Sequence, residues 1–159
     1  MKRIFSPIKV VLFLFFTSAI YAQIPKEEKA ALVSLYNATK GEGWTNTWNL
    51  KEKATNWYGV EIVNNHIISI NLHRNNLEGK LPRNIKALEH LEKLNLAFNN
   101  LQGTIPKEIT DLENLKILKL EMNSLKGSLP KDYSKWNKLK ELTLFNNKLE
   151  GEIPRGIGA

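Results

Sequence analysis

One interval governs this chain: from residue 67 onward the same residue types return every 24 positions. Asn75, Asn99, Asn123 and Asn147 keep that step, as do Gly79, Gly103, Gly127 and Gly151, and Pro82, Pro106, Pro130 and Pro154. The apolar frame follows without insertion or deletion. Ile67, Leu91, Leu115 and Leu139 open the units, and Ile70, Leu94, Leu118 and Leu142 come next. Leu72, Leu96, Leu120 and Leu144 follow, then Leu77, Leu101, Leu125 and Leu149. A unit this short cannot bury its own leucines, so neighbouring units must stack and share one continuous core. A solenoid is expected.

Within one unit, Leu94 and Leu96 alternate with polar neighbours, the period-2 mark of a strand with one buried face. Asn99 follows that strand, where its amide can bond backbone groups that the turn leaves unpaired. In four units these side chains predict an internal ladder of Asn75, Asn99, Asn123 and Asn147. Gly103 permits a backbone conformation other residues resist, and Pro106 holds an extended bend. Ile109 and Leu112 then return to the core. Short strands should therefore form a parallel sheet along one side, about 4.8 Å apart. The recurring Asn, Gly and Pro are read as structural, because they recur wherever the coil must turn.

The pattern L-x-x-L-x-L-x-x-N-x-L-x-G-x-[IL]-P, carried by residues 91–106, 115–130 and 139–154 with a divergent first unit at 67–82, resembles the plant-type leucine-rich repeat. The resemblance implies an α/β solenoid: a right-handed coil, a short-stranded parallel sheet on its concave face and an N-terminal helical cap. Proteins, peptides or glycans are the usual ligands of such a family. The repeats are assigned to residues 67–159, about four units with the last incomplete, and the cap to residues 23–66. In the cap, residues 25–39 read as a helix: Pro25 suits the first turn, Glu27 and Glu28 its positive end, and Gly41 its stop. Ala31, Leu32, Leu35 and Tyr36 give it an apolar stripe to dock on the first repeat. The stretch Leu35 to Thr39, then Gly43-Trp44 and Trp57-x-Gly59-Val60, is similar to caps of secreted bacterial, Bacteroidetes-like proteins with this repeat. Plant caps carry a cysteine pair flanking that last motif. Thr55 and Glu61 stand at those places here, so the cap is expected to hold by packing, with its tryptophans as anchors.

Residues 1–22 read as an address. Lys2, Arg3 and Lys9 precede an apolar run over residues 10–20, followed by Tyr21-Ala22-Gln23. This is the layout of a secretory signal peptide, cleaved after Ala22, and an 11-residue run is too short to span a bilayer. Export to the medium or the cell surface is expected, with no transmembrane segment after signal removal. Without the leader, 20 basic residues face 16 acidic ones, a modest surplus that gives no support to nucleic-acid binding.

No reaction centre can be assembled. The absence of cysteine removes thiolate metal sites, disulfides and a cysteine nucleophile. His66, His73 and His90 lack the helical spacing of zinc ligands and read as surface polar residues. Carboxylates are spread over the repeats without a pair that argues for glycosidase chemistry, and neither a nucleophile elbow nor a phosphate-binding glycine loop occurs. An enzyme is not expected, and no cofactor is called for. Asn37-Ala38-Thr39 fits a glycosylation sequon, relevant only in a host that glycosylates exported asparagine.

The positions free to vary are those that point outward from the strands. They read Ser69, Asn71, His73 and Arg74; Lys93, Asn95, Ala97 and Phe98; Ile117, Lys119, Glu121 and Met122; Glu141, Thr143, Phe145 and Asn146. Phe98, Met122, Ile117 and Phe145 form an apolar centre, with Arg74, His73, Lys93, Lys119 and Glu121 around it. An apolar centre in a charged margin suits a protein or peptide ligand. Asn71, Asn95, Thr143 and Asn146 would suit a glycan or cell-envelope ligand instead. A third expectation is a structural portion of a larger surface protein, because the sequence stops part-way through a unit.

Overall fold

A computed structural model describes residues 23–152. The leader at 1–22 and the start of the incomplete unit at 153–159 lie outside the described residues. The chain opens with helix α1, Lys26–Ala38, whose Ala31, Leu32, Leu35 and Tyr36 are buried. A hairpin follows, β1 (Val60–Val63) against β2 (His66–Asn71), closed by Asn64 and Asn65, both left-handed at φ 49° and 67°. That turn matches the right-handed twist of the two strands, and asparagine is among the residues that tolerate it.

The 24-residue step becomes the register of a sheet. β2 pairs in parallel with β4 (Lys93–Asn95), β4 with β6 (Ile117–Lys119) and β6 with β8 (Glu141–Thr143), so that Ser69, Lys93, Ile117 and Glu141 stand in one row. Ile70, Leu94 and Leu118 form the row behind it and are buried. Between strands the chain returns through 3-10 turns at Arg83–Ala87 and Lys107–Asp111, which send Ile85, Leu88, Ile109 and Leu112 into the core. Lys86 and Lys107 sit on these turns and are exposed. In the third coil the equivalent positions hold Tyr133 and Trp136, with rings 5.2 Å apart. Aromatic bulk takes the place of the aliphatic pair.

Three features depart from the sequence reading. A second parallel sheet runs beside the first, from β3 (Glu78–Gly79) through β5 (Asn100–Gly103) and β7 (Ser124–Gly127) to β9 (Lys148–Leu149). It exists because residues just past each ladder asparagine are extended, a pattern too short to register as an alternating strand. The cap joins its edge: Glu78 and Lys80 N–H groups donate to the Thr39 and Ala38 carbonyls at 3.1 Å. Gly79 is obligatory there, since a Cβ would stand 2.1 Å from the Ala38 oxygen. Second, the left-handed residue after α1 is Lys40 (φ 54°), and Gly41 follows in a 3-10 turn, where a Cβ would strike the Tyr36 ring. Third, the histidines are not simply solvated, as shown below.

The cap packs around Trp44, Trp48 and Trp57. Trp44 meets Trp48 edge-on, Trp48 stacks on Trp57, and both centroid distances are 4.9 Å. Each indole N–H donates to a carbonyl at 2.9 Å, of Thr39, Tyr58 and Asn49 respectively. A buried tryptophan needs such a partner to avoid a desolvated donor.

Candidate functional site: the concave sheet

The ladder beneath the sheet fixes the geometry of its face. Asn99 Oδ1 accepts from the Asn75 and Leu77 N–H groups at 3.0 Å, while its Nδ2 donates to the Leu72, Leu96 and Ala97 carbonyls. Asn123 repeats this against Leu101, Leu96, Leu120 and Glu121, and Asn147 against Leu125, Leu120 and Leu144. Asn75 turns to the cap, its Oδ1 accepting the Asn46 N–H at 2.7 Å. Each amide thus ties its own coil to the one before it.

The residue before each ladder asparagine is left-handed: Arg74, Phe98, Met122 and Asn146 have φ between 51° and 57°. Asparagine tolerates this conformation; phenylalanine and methionine do so at a cost. The twist aims their side chains along the rim of the concave face. Phe98 is half-buried, with the Arg74 guanidinium 4.7 Å from its ring centroid and His73 edge-on at 5.0 Å. Met122 is 38% exposed and Phe145 58%. Asn146 donates to the Met122 sulfur.

The other outward positions divide into free and engaged groups. Asn71 is exposed, while Asn95 folds back to accept the Ala97 N–H. Ile117 is half-buried between Lys93 and Glu141. Lys119 pairs with Glu141 at 2.6 Å, and that hydrogen bond, its largest influence, raises the Lys119 ammonium above the ordinary lysine range. Glu121 needs correction as part of a charged margin. It is only 8% exposed and accepts the Thr143 hydroxyl, because Ala97 and Phe145 flank it in the row and Thr143 stands one coil on. Ala97 itself is fully buried. Arg74 and Lys93 have no ion-pair partner among the described residues.

A second cluster lies at the junction of cap and repeats. Glu28 is 3% exposed, accepting the His66 Nδ1–H at 2.6 Å and the Ile67 N–H at 2.8 Å. His90 stacks on His66 with centroids 3.7 Å apart. The surface reading of these histidines fails for His66, which is half-buried on that carboxylate. A signal was present: Glu28 falls at the i−3, i−4 and i−7 position of the Ala31, Leu32, Leu35 stripe. Among the described residues no group of three or more histidines and carboxylates is arranged to hold a metal ion.

Leucine rich repeat family models match residues 66–88 and 89–149. The BIR3–SERK2 complex of Arabidopsis thaliana contains a chain 32% identical at a TM-score of 0.66, covering 78% of this chain and 71% of that one. This chain belongs to the leucine-rich repeat family. PEPR1–AtPEP1 superposes at a TM-score of 0.74 with 27% identity, over 84% of this repeat protein but 20% of the other chain. The Arabidopsis receptor kinase HAESA ectodomain, in complex with an IDA peptide hormone ligand, is 36% identical at a TM-score of 0.53, covering 54% and 14% respectively. This leucine-rich repeat chain therefore spans a small fraction of both those chains. No curated protein sequence matches it significantly. No helix among the described residues is long and apolar enough to cross a membrane.

Proposed function

We propose that this chain is an exported recognition module that binds a protein or peptide on its concave sheet. The observation that carries the reading is the rim of Phe98, Met122 and Phe145. Two of these bulky residues occupy a left-handed position better suited to asparagine, and the third is 58% exposed. Phe98 packs on Arg74 and His73, but the exposed bulk of Met122 and Phe145 is better explained by an apolar contact surface. The solved relatives include a receptor ectodomain with a peptide hormone and a complex of two repeat proteins, which supports the same class of ligand. Export rests on the leader at residues 1–22, with the mature chain starting at Gln23.

Two measurements test this. Mass spectrometry of the chain expressed in a bacterial host with an intact export pathway should find Gln23 at the N-terminus of the exported form. Peptides selected on the mature chain from a displayed random library should lose binding with Phe145→Ser plus Ile117→Ser, and keep it with Lys86→Ala plus Lys107→Ala. The reverse pattern would move recognition to the convex side.

A further inference from the structure

The concave face is not uniform along the solenoid. Its first two coils present Ser69, Asn71, His73, Arg74, Lys93 and Asn95, without a carboxylate among them. Its third and fourth present Ile117, Met122 and Phe145, and the charges there are already spent on one another. Lys119 holds Glu141, Thr143 holds Glu121, and Lys116 reaches back to Glu92 at 2.6 Å. On this face, the cations without a carboxylate partner among the described residues are Arg74 and Lys93. One anion borders this area: Glu61 on β1, opposite Ser69 and without an ion-pair partner among the described residues. It stands two strands from Lys93, roughly 10 Å at about 4.8 Å per strand. That is about one Debye length at physiological salt, so it weakens the cationic field without cancelling it. Arg74 lies at the opposite end of the strand.

Resting on the concave-face reading, we infer that the ligand is an extended acidic–apolar peptide. Its carboxylate meets Arg74, Lys93 at the other end of the strand adds to the cationic field, and an apolar side chain settles on Met122 and Phe145. Arg74 is suited to the first role, since its guanidinium lies over the Phe98 ring at 4.7 Å and, without a carboxylate partner among the described residues, keeps its fork of donors for a planar anion. Spacing sets the ligand's length. From the first coil to the fourth is three strand steps, roughly 14 Å, which an extended chain covers in about four residues at about 3.3 Å each. The peptide runs across the strands, with acid and apolar residue separated by about three to five positions.

A displayed random heptapeptide library, selected on the mature chain at low salt, tests this. The expected winners carry Asp or Glu three to five positions from Leu, Phe, Tyr or Met. A fluorescein-labelled winner should bind at least about tenfold more weakly to Arg74→Gln and to Phe145→Ser, and a few-fold more weakly to Lys93→Glu, each checked for an unchanged circular dichroism spectrum. Its affinity should also fall several-fold between 50 and 500 mM salt. Winners without acids, sensitive to Phe145→Ser but indifferent to Arg74→Gln and Lys93→Glu, would overturn the acidic ligand and leave the concave face standing. Winners indifferent to all three variants, or no winners above a blank surface, would overturn both.

Discussion

The repeats and the cap solve the same problem by different means. Every coil must satisfy the backbone groups where its strand begins and ends. In coils two to four the leucine that opens the unit, two residues before the strand, donates to the preceding turn: Leu91 to Leu88, Leu115 to Leu112 and Leu139 to Trp136. In coil one no such turn precedes, and the Ile67 N–H finds Glu28 on α1 instead. At the strand's far end, one recurring asparagine serves each coil, whereas in the cap Asn46 meets Asn75 once. Periodicity lets one residue type do a job repeatedly; the cap needs a separate invention for each group.

If that comparison holds, the largest effect comes from breaking a central ladder rung. Asn99→Leu strands the Asn75 and Leu77 N–H groups and the Leu72 carbonyl in the interior, takes one of two donors from the Leu96 and Ala97 carbonyls, and should cost at least about 3 kcal/mol. Urea denaturation measures it. Asn147→Leu touches three partners at a half-buried site and should cost about half as much. Equal losses would show that the rungs do not act through the number of groups they satisfy.

Next comes the cap's counterpart. Glu28→Ala leaves the Ile67 N–H without an acceptor and the His66 Nδ1–H without its carboxylate, for a loss of about 2 kcal/mol. Hydrogen exchange should quicken first at Ile67, before the amides of coil three respond. Simultaneous loss of protection through all coils would mean that cap and repeats unfold as one unit.

These devices also explain which parts were legible. The ladder, the leucine frame and the parallel register could be read because each is written four times. Glu28 is written once. It could be singled out only as an acid on an apolar helical stripe, and its partner His66 lies 38 residues away, beyond any local pattern. The second sheet escaped notice because its strands span two to four residues. Phe145 was legible as an outward residue by alternation alone. The engagement of Glu121 was not, since it depends on Thr143 one coil on.

The third coil borrows the cap's habit of anchoring with aromatics, and this yields a smaller, pH-dependent effect. Desolvation pushes the Tyr133 hydroxyl up to about 12, and its oxygen has no hydrogen-bond partner among the described residues. A folded-state value above the ordinary phenol's, about 10, favours the neutral ring. That contribution to stability is full below pH of about 10 and is lost as pH rises towards about 12. Melting temperatures from pH 9 to 12 should fall more steeply for the parent than for Tyr133→Phe. Parallel curves would mean that the hydroxyl ionises as freely in the folded chain as in the unfolded one.

The smallest effect has the opposite sign. Met122 holds a left-handed backbone at φ 56°, the conformation that Asn146 holds one coil later at 53°. Unlike the ladder positions, this place has been given residues the backbone disfavours in the middle coils, Phe98 and Met122. Met122→Asn should relieve strain without opening the core, because the side chain is 38% exposed and its polar contact is a weak one to Asn146. A gain of about 0.5–1 kcal/mol follows from the tolerance of asparagine for this region, read as a rise of a few degrees in melting temperature. The same substitution should weaken a peptide selected on the concave face. Stability and binding would then move in opposite directions, as expected where strain is kept for contact rather than for folding. A variant that melts lower and binds as before would place Met122 with the frame of the repeat, on the structural side of the comparison.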